Sequence, residues 1–153
     1  VLGDLNIQHE LVGFTDTFGQ LLYLYKPFSA SKVSGSILAN RVISSSQIMA
    51  GNADADAILW CANRIRKEKS KRKIIIVLSD GCPAGGKSYS SLSQPDFLSK
   101  VTEEIEKSVD LEIYGIGIED DNVKLFYKDN KVISNSDELD NALLSVIKTK
   151  IIG

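Results

Sequence analysis

The stretch Lys73–Ser88, KIIIVLSDGCPAGGKS, decides how the rest of the chain is interpreted. It opens with Ile74–Leu78, five apolar residues of which four are Ile or Val, followed by the tripeptide S-D-G that contains Asp80. Such runs are typical of parallel strands buried on both faces, so the pattern predicts a strand that brings the Asp80 carboxylate to the carboxyl edge of a sheet. The following Gly81–Ser88 fits G-x-x-x-x-G-K-S, the phosphate-loop pattern. Two different sites are therefore possible, a metal site at Asp80 or a nucleotide site at Lys87.

The phosphate-loop interpretation requires a helix that begins at Lys87 and Ser88, because the helix N-terminus and the loop amides together hold the phosphates. The residues after Ser88 are YSSLSQP, and Pro95 predicts a helix start well beyond that point. Pro83 also removes one amide hydrogen from the loop. We therefore favour the metal site, and a P-loop nucleotide-binding enzyme that uses Lys87 and Ser88 remains the alternative.

Strand-like and helix-like segments alternate along the chain. Strands are predicted at Gln8–Phe14, Leu21–Phe28, Ile74–Leu78, Leu111–Ile118 and near Lys131–Ser134, and helices at Ser34–Ala50, at Asp54–Lys69, from Pro95 and from Ser136. This alternation predicts a doubly wound α/β fold, with a mostly parallel sheet and helices on both faces. The chain has no internal repeat or linker, so residues 1–153 are predicted to form a single domain.

The composition is that of an ordinary globular domain, with 153 residues, 43% of them hydrophobic and 25% charged. A net charge of −2 provides no general attraction to nucleic acid or to anionic lipid. The longest purely apolar run, Ile74–Leu78, is too short to span a bilayer. The two cysteines, Cys61 and Cys82, are too few for a disulfide scaffold and lack metal-ligand spacing, so a cytoplasmic location is expected.

The strand end at Asp80, followed by a loop and an amphipathic helix, resembles the fourth-strand motif of von Willebrand factor A domains. A longer series of motifs resembles more narrowly the carboxyl-terminal domain of the large helper subunit of aerobic cobaltochelatase. In chain order they are NADADAILWCANRI from Asn52, RKIIIVLSDGCPAGG from Arg72, PDFLSKVTEEIEK from Pro95, DLEIYGIGI from Asp110 and KVISNSDELDNALLSVI from Lys131. Together they cover about two-thirds of the chain and are fairly specific in combination.

The resemblance implies a metal-ion-dependent adhesion site and no catalytic residue in the domain itself. The metal residues implied in this sequence are Asp80 and, in a second loop, Asp54 and Asn52. The implied ion is Mg²⁺ or another divalent cation, which prefers hard oxygen ligands. The implied partners are a ring-forming ATPase subunit and a substrate-binding subunit of a cobaltochelatase-like complex in cobalamin biosynthesis. An interaction domain with a degenerate metal site is a further alternative.

The chain departs from the family pattern at one point, because no Asp-x-Ser-x-Ser motif occurs in it. The family carries that motif on its first strand, at the centre of the sheet. The nearest match, Ser-Gly-Ser at 34–36, has Lys32 where the Asp should be. The segment Gln8–Phe14 resembles the family's second strand, and the chain opens at Val1 rather than Met. We therefore expect residues 1–153 to be an amino-terminally incomplete domain that lacks the first strand and half of the metal site; the alternative is that the central strand comes from elsewhere.

Three other features have simpler explanations. Cys82 could pair only with His9, on a distant predicted strand, which argues against a catalytic Cys–His pair. Asp56 is expected to cap its helix, whereas Asp54 either caps the helix or binds metal. The run Arg64–Lys73 holds seven Lys or Arg residues around a single glutamate. A solvated helix end is favoured there, and contact with an acidic partner or nucleic acid remains open.

Overall fold

The computed structural model describes residues 2, 4–16, 21–46, 50–84 and 91–152. The strands are β1 Leu11–Thr15, β2 Leu21–Lys26, β3 Ile74–Ser79, β4 Glu112–Ile118 and β5 Asn130–Ile133. The helices are α1 Gly35–Ser46, α2 Asp54–Ile65, α3 Gln94–Glu106, α4 Val123–Phe126 and α5 Leu139–Ile147. A 3₁₀ turn, Ser136–Glu138, precedes α5, and a π-helical turn, Lys148–Ile152, follows it.

All the predicted elements are present, with ends that differ by a few residues. The strand β2 ends at Lys26, directly before Pro27. This end is expected because proline has no backbone N–H to donate to the neighbouring strand. Helix α2 ends at Ile65 rather than Lys69, because the basic residues that follow Ile65 offer no apolar side chain to bury. Helix α4 was not predicted, since a single turn is too short to show helical periodicity.

The strands β3, β4 and β5 form a parallel sheet in that order. One face packs against α2, α3 and α4, in a core that includes Ile58, Leu98 and Val77. The other face packs against α5, in a core that includes Ile116 and Val146. Helices on both faces of a parallel sheet confirm the predicted doubly wound fold.

The hairpin of β1 and β2 forms a separate antiparallel sheet, and no described strand joins it to β3. Five of the six residues of β3 are apolar, but only Val77 is fully buried, and Leu78 is 40% exposed. The composition of β3 is therefore that of an interior strand, whereas in the described sheet it is the first strand and lies at the edge. Contacts outside the sheets connect the two parts, and they include two hydrogen bonds from Arg64 to Glu10 at 2.8 and 2.7 Å.

Candidate metal site

Asp80 is the first residue after β3, at the carboxyl edge of the parallel sheet, and it is exposed. A hydroxyl shapes the turn at this point, because Ser79 Oγ donates to the carbonyl oxygen of Gly81 at 2.8 Å. The same Oγ accepts a long bond from the Gly81 amide at 3.4 Å. The chain thus turns away directly after the strand and leaves the Asp80 side chain accessible to solvent.

Asp54 is the first residue of α2 and is 1% exposed. The N-cap position belongs to Ala53, which makes no side-chain capping bond. The prediction that Asp56 caps the helix is wrong, because Asp56 lies inside the first turn, where it cannot take the extended backbone of a cap residue. Its carboxylate instead accepts a hydrogen bond from Gln94 Nε2, at 3.3 Å. Asp54 also lies inside the helix, which removes the N-cap explanation for it.

The carboxyl group of Asp54 is strongly perturbed. Burial raises its pKa from the ordinary value to about 6, against the effect of hydrogen bonds from its own backbone amide and from Asn52. The negative charge of Asp80 makes a smaller contribution in the same direction and raises this pKa further. The Oδ2 atom of Asp54 is buried and has no hydrogen-bond partner among the described residues. A cation between the two groups would remove their repulsion and use the free oxygen.

Asn52 joins the two loops that carry these acids. Its Nδ2 donates to the carbonyl oxygen of Cys82 at 3.2 Å, and its Oδ1 accepts from the amide of Ala84 at 3.1 Å. The loop after Asp80 is thereby attached to the start of α2, beside Asp54. The three residues predicted from the sequence are therefore brought together, with Asn52 holding the loops and the two aspartates contributing charge.

Two carboxylates alone do not complete a metal site. Within the described parts of the chain, no three His, Cys, Asp or Glu residues form a group that could hold a metal ion. The oxygens of Asp54 and Asp80 fit a hard divalent cation, which commonly takes its other ligands from hydroxyls, carbonyls and water. The donor set therefore fits Mg²⁺ in chemistry, and further oxygens are needed to fill its shell.

Two glycines of β4 create space beside this site, a feature that the sequence analysis missed. A Cβ atom at Gly115 would collide with the ring of Tyr127, and one at Gly117 would collide with the Asp120 carbonyl and with Val123. The chain after β4 therefore lies directly against the end of the sheet. The G-I-G pattern in an apolar strand was the available signal, because glycine inside a strand often marks a close approach of backbone or side chain.

Tyr127 occupies the space over Gly115 and is 2% exposed. Burial raises the pKa of its hydroxyl, and the negative charge of Asp54 raises it further. The hydroxyl has no hydrogen-bond partner within the described residues. The Tyr127 hydroxyl and Oδ2 of Asp54 are thus two buried polar atoms that have no hydrogen-bond partner within the described residues.

The phosphate-loop residues Gly86, Lys87 and Ser88 lie outside the described residues. The described chain resumes at residue 91 in non-helical conformation, and α3 begins at Gln94. Its N-cap is Ser93, whose Oγ accepts from the Asp96 amide at 3.3 Å. The N-terminus of α3 is therefore capped by its own serine rather than placed directly after Lys87, and the described residues offer no support for a nucleotide site.

A parallel sheet with helices on both faces, and with acidic residues where its strands end, is the architecture of a von Willebrand factor A domain. The family model described as the cobalamin biosynthesis protein CobT VWA domain matches residues 5–153. The chain therefore belongs to that family. Its role is accordingly related to cobaltochelatase and cobalamin biosynthesis, where CobT is a subunit of the complex.

No solved structure matches the chain. Among the helices that the structure describes, none has the length and apolar character needed to cross a membrane.

Proposed function

We propose that this chain is a docking domain in which Asp80 and Asp54 hold a divalent cation, with Mg²⁺ the best chemical match. The observation that carries the proposal is the buried, unpartnered Oδ2 of Asp54, whose carboxyl pKa is raised in part by Asp80. When bound, the cation supplies an open coordination position for an acidic side chain of a partner. Asn52 completes this set by fixing the loop after Asp80.

The partners in this proposal are a ring-forming ATPase subunit and a substrate-binding subunit of a cobaltochelatase-like complex, in the cytoplasm. Membership in the CobT family supports the choice of complex. The domain itself carries out no chemistry in this proposal. In support, Cys82 is exposed at the site, whereas His9, the one histidine of the sequence, lies before β1 with its Nδ1 beside the Ile7 carbonyl.

The same proposal includes one more strand between β1 and β3, which would supply the missing oxygen ligands. Support comes from β3, an apolar strand with one side unpaired among the described residues. A parallel strand beside it would end at the same edge as Asp80, so hydroxyls at its carboxyl end could join the cation's shell. On this proposal the two sheets become one sheet in the complete domain.

The test is titration calorimetry of the complete domain with MnCl₂ as a substitute for Mg²⁺. Replacing Asp80 with Ala removes one carboxylate, so cation affinity should fall by at least about tenfold. Because Asp80 is exposed, the melting temperature of the metal-free protein should not change. The matched control is Asp140→Ala, which removes an exposed aspartate from α5 and should leave cation affinity intact.

Partner binding gives a second measurement, by pull-down of the ATPase subunit with and without EDTA. Asp80→Ala and EDTA should each weaken capture strongly, and Asp140→Ala should not. If Asp80→Ala and EDTA both leave partner capture unchanged, the domain does not work through a cation at this edge.

A further inference from the structure

We propose that the opposite edge of the sheet carries a second docking surface, which binds an acidic segment of a partner protein. This surface consists of the basic loop Arg66–Lys73, which joins α2 to β3, and the hollow beside Phe28. Because β3 begins directly after the loop, the surface lies at the amino edge of the parallel sheet, away from Asp80. The inference therefore does not depend on the cation site.

The charge of the chain is divided unevenly. The run Arg64–Lys73 contains seven Lys or Arg residues and one Glu, a net charge of +6. The whole chain has 18 basic and 20 acidic residues, so the remaining residues have 11 basic and 19 acidic, a net charge of −8. A single run of ten residues thus produces a local positive field on an otherwise acidic molecule, and it does so at one edge of the sheet.

Ion pairs within the molecule neutralise only part of this run. Arg64 is bound by Glu10 and Arg66 by Asp110, with nitrogen–oxygen distances of 2.7 and 3.0 Å. Other acids at this edge are also engaged, since Asp129 and Glu112 both pair with Lys150. The exposed residues Lys67, Lys69 and Lys71 have no carboxylate within ion-pair distance among the described residues.

A hollow of about 190 Å³ adjoins the first of these lysines. Pro27, Phe28 and Ser29 line one side of it, and Arg64, Lys67 and Glu68 line the other. Its shape is supported by the buried Lys26, whose Nζ donates to the carbonyl oxygens of His9 and Ala30 at 2.8 and 3.1 Å. The surface therefore combines free positive charge with a preformed space for one apolar side chain, which fits an acidic peptide that carries an aromatic residue.

A protein partner fits this surface better than a nucleic acid does. Nucleic acids present regularly spaced phosphates over a long path, and their binding proteins usually show a basic face or an overall basic charge. Here the basic residues are confined to one loop, and the chain as a whole has a net charge of −2. The acidic remainder of the molecule would repel a long polyanion but would leave room for a short acidic segment.

Fluorescence anisotropy tests the proposal with two labelled probes at low salt. One is a short peptide of Glu and Asp with a central Phe, and the other is a single-stranded oligonucleotide of equal charge.

The triple variant Lys67→Gln, Lys69→Gln, Lys71→Gln should weaken peptide binding by about tenfold, because three exposed ion pairs are lost. The matched control is Lys32→Gln, Lys100→Gln, Lys131→Gln, which changes three exposed lysines elsewhere and should bind normally. Circular dichroism checks that each variant is folded, and the single variant Lys69→Gln gives a smaller loss if the triple variant unfolds.

Salt and chelator separate this surface from the cation site. Peptide binding should weaken as salt rises and should be unaffected by EDTA, whereas docking at Asp80 should be sensitive to EDTA. A peptide without Phe should bind less tightly than the peptide that contains it. The proposal is overturned if the two triple variants bind the peptide equally, if the wild-type protein does not bind it at low salt, or if the oligonucleotide binds more tightly than the peptide.

Discussion

At the scale of single residues, Asp54 is held in a position that disfavours its charge. Its pKa in the folded protein is about 6, above that of an ordinary aspartate, so the folded state binds the proton more tightly than the unfolded chain does. The stability that Asp54 contributes is therefore greatest at low pH and is lost as the pH rises through about 6. A buried acid that destabilises the metal-free protein at neutral pH is compatible with a residue kept for binding a cation.

The first prediction concerns Asp54→Asn. The amide keeps the shape of the side chain and cannot ionise, so the metal-free variant should be more stable than wild type at neutral pH, by up to about 3 kcal/mol. The difference in stability should shrink at a pH below the pKa of an ordinary aspartate, where the carboxyl group is protonated in both the folded and the unfolded state. Urea unfolding at both pH values measures it, with the exposed Asp140→Asn as control. Lower stability of Asp54→Asn at neutral pH would contradict the proposed cost of the buried charge.

The second prediction compares two tyrosines. The Tyr127 hydroxyl is buried without a partner, whereas the Tyr114 hydroxyl donates to the carbonyl oxygen of Asn130 at 3.2 Å. Tyr127→Phe should therefore leave stability equal or higher, while Tyr114→Phe should cost about 1 kcal/mol. Urea unfolding of both variants decides the matter. If Tyr127→Phe is the more destabilising change, its hydroxyl has a bonding role in the folded protein that the described contacts do not show.

At the scale of elements, Gly115 and Gly117 allow the chain that follows β4 to pack directly against that strand, because neither residue has a side chain. The ring of Tyr127 lies where a side chain at Gly115 would be, and the turn at Asp120 lies over Gly117. Gly115 therefore sets the position of Tyr127, and Gly117 sets that of the turn at Asp120, although neither glycine contributes a polar side chain.

The third prediction follows from this packing. Gly115→Ala would place a Cβ atom 2.5 Å from Tyr127 Cδ2 and 2.6 Å from Cγ, and the buried ring has little freedom to move. Overpacking of this kind should destabilise the protein by about 1–3 kcal/mol. Gly35→Ala is the control, because nothing lies within 4 Å of its Cβ position at the start of α1. Thermal unfolding compares them, and equal melting temperatures would show that Tyr127 is not packed tightly on β4.

At the scale of the whole molecule, local sequence patterns predicted the helices and strands and the position of Asp80 at the end of β3. They did not predict the contacts between residues that are distant in the sequence. The apolar run of β3 and the periodicity of α2 and α3 depend on neighbouring residues, so they can be recognised along the chain. The bond from Gln94 to Asp56 joins residues of different elements, and no local pattern indicates it. The resemblance supplied Asp54 and Asn52, whereas the role of Tyr127 depends on how the chain folds back over Gly115.

The separation of the two sheets has a consequence for the molecule's stability. Among the strands that the structure describes, β3 has a partner on one side only; its Leu78 is 40% exposed, and Leu24 of β2 is 41% exposed. Unpaired edges with apolar side chains bind other strands readily and contribute less to folding than paired ones do. The Arg64–Glu10 pair connects the residue before β1 to α2, and α2 in turn packs on the sheet of β3.

The last prediction is that the 153 residues alone are poorly stable. As an isolated monomer they should melt at low temperature or without a sharp transition, and should bind a dye that fluoresces on apolar surfaces, because no strand among the described residues pairs with one side of β3. If a strand between β1 and β3 completes the sheet, a longer protein that contains an Asp-x-Ser-x-Ser strand should melt cooperatively, at a higher temperature and with less dye bound. Calorimetry of the two proteins side by side is the measurement. A cooperative melt of the isolated chain well above room temperature, with little dye bound, would show that the edge of β3 is stable as it is and that no further strand is needed.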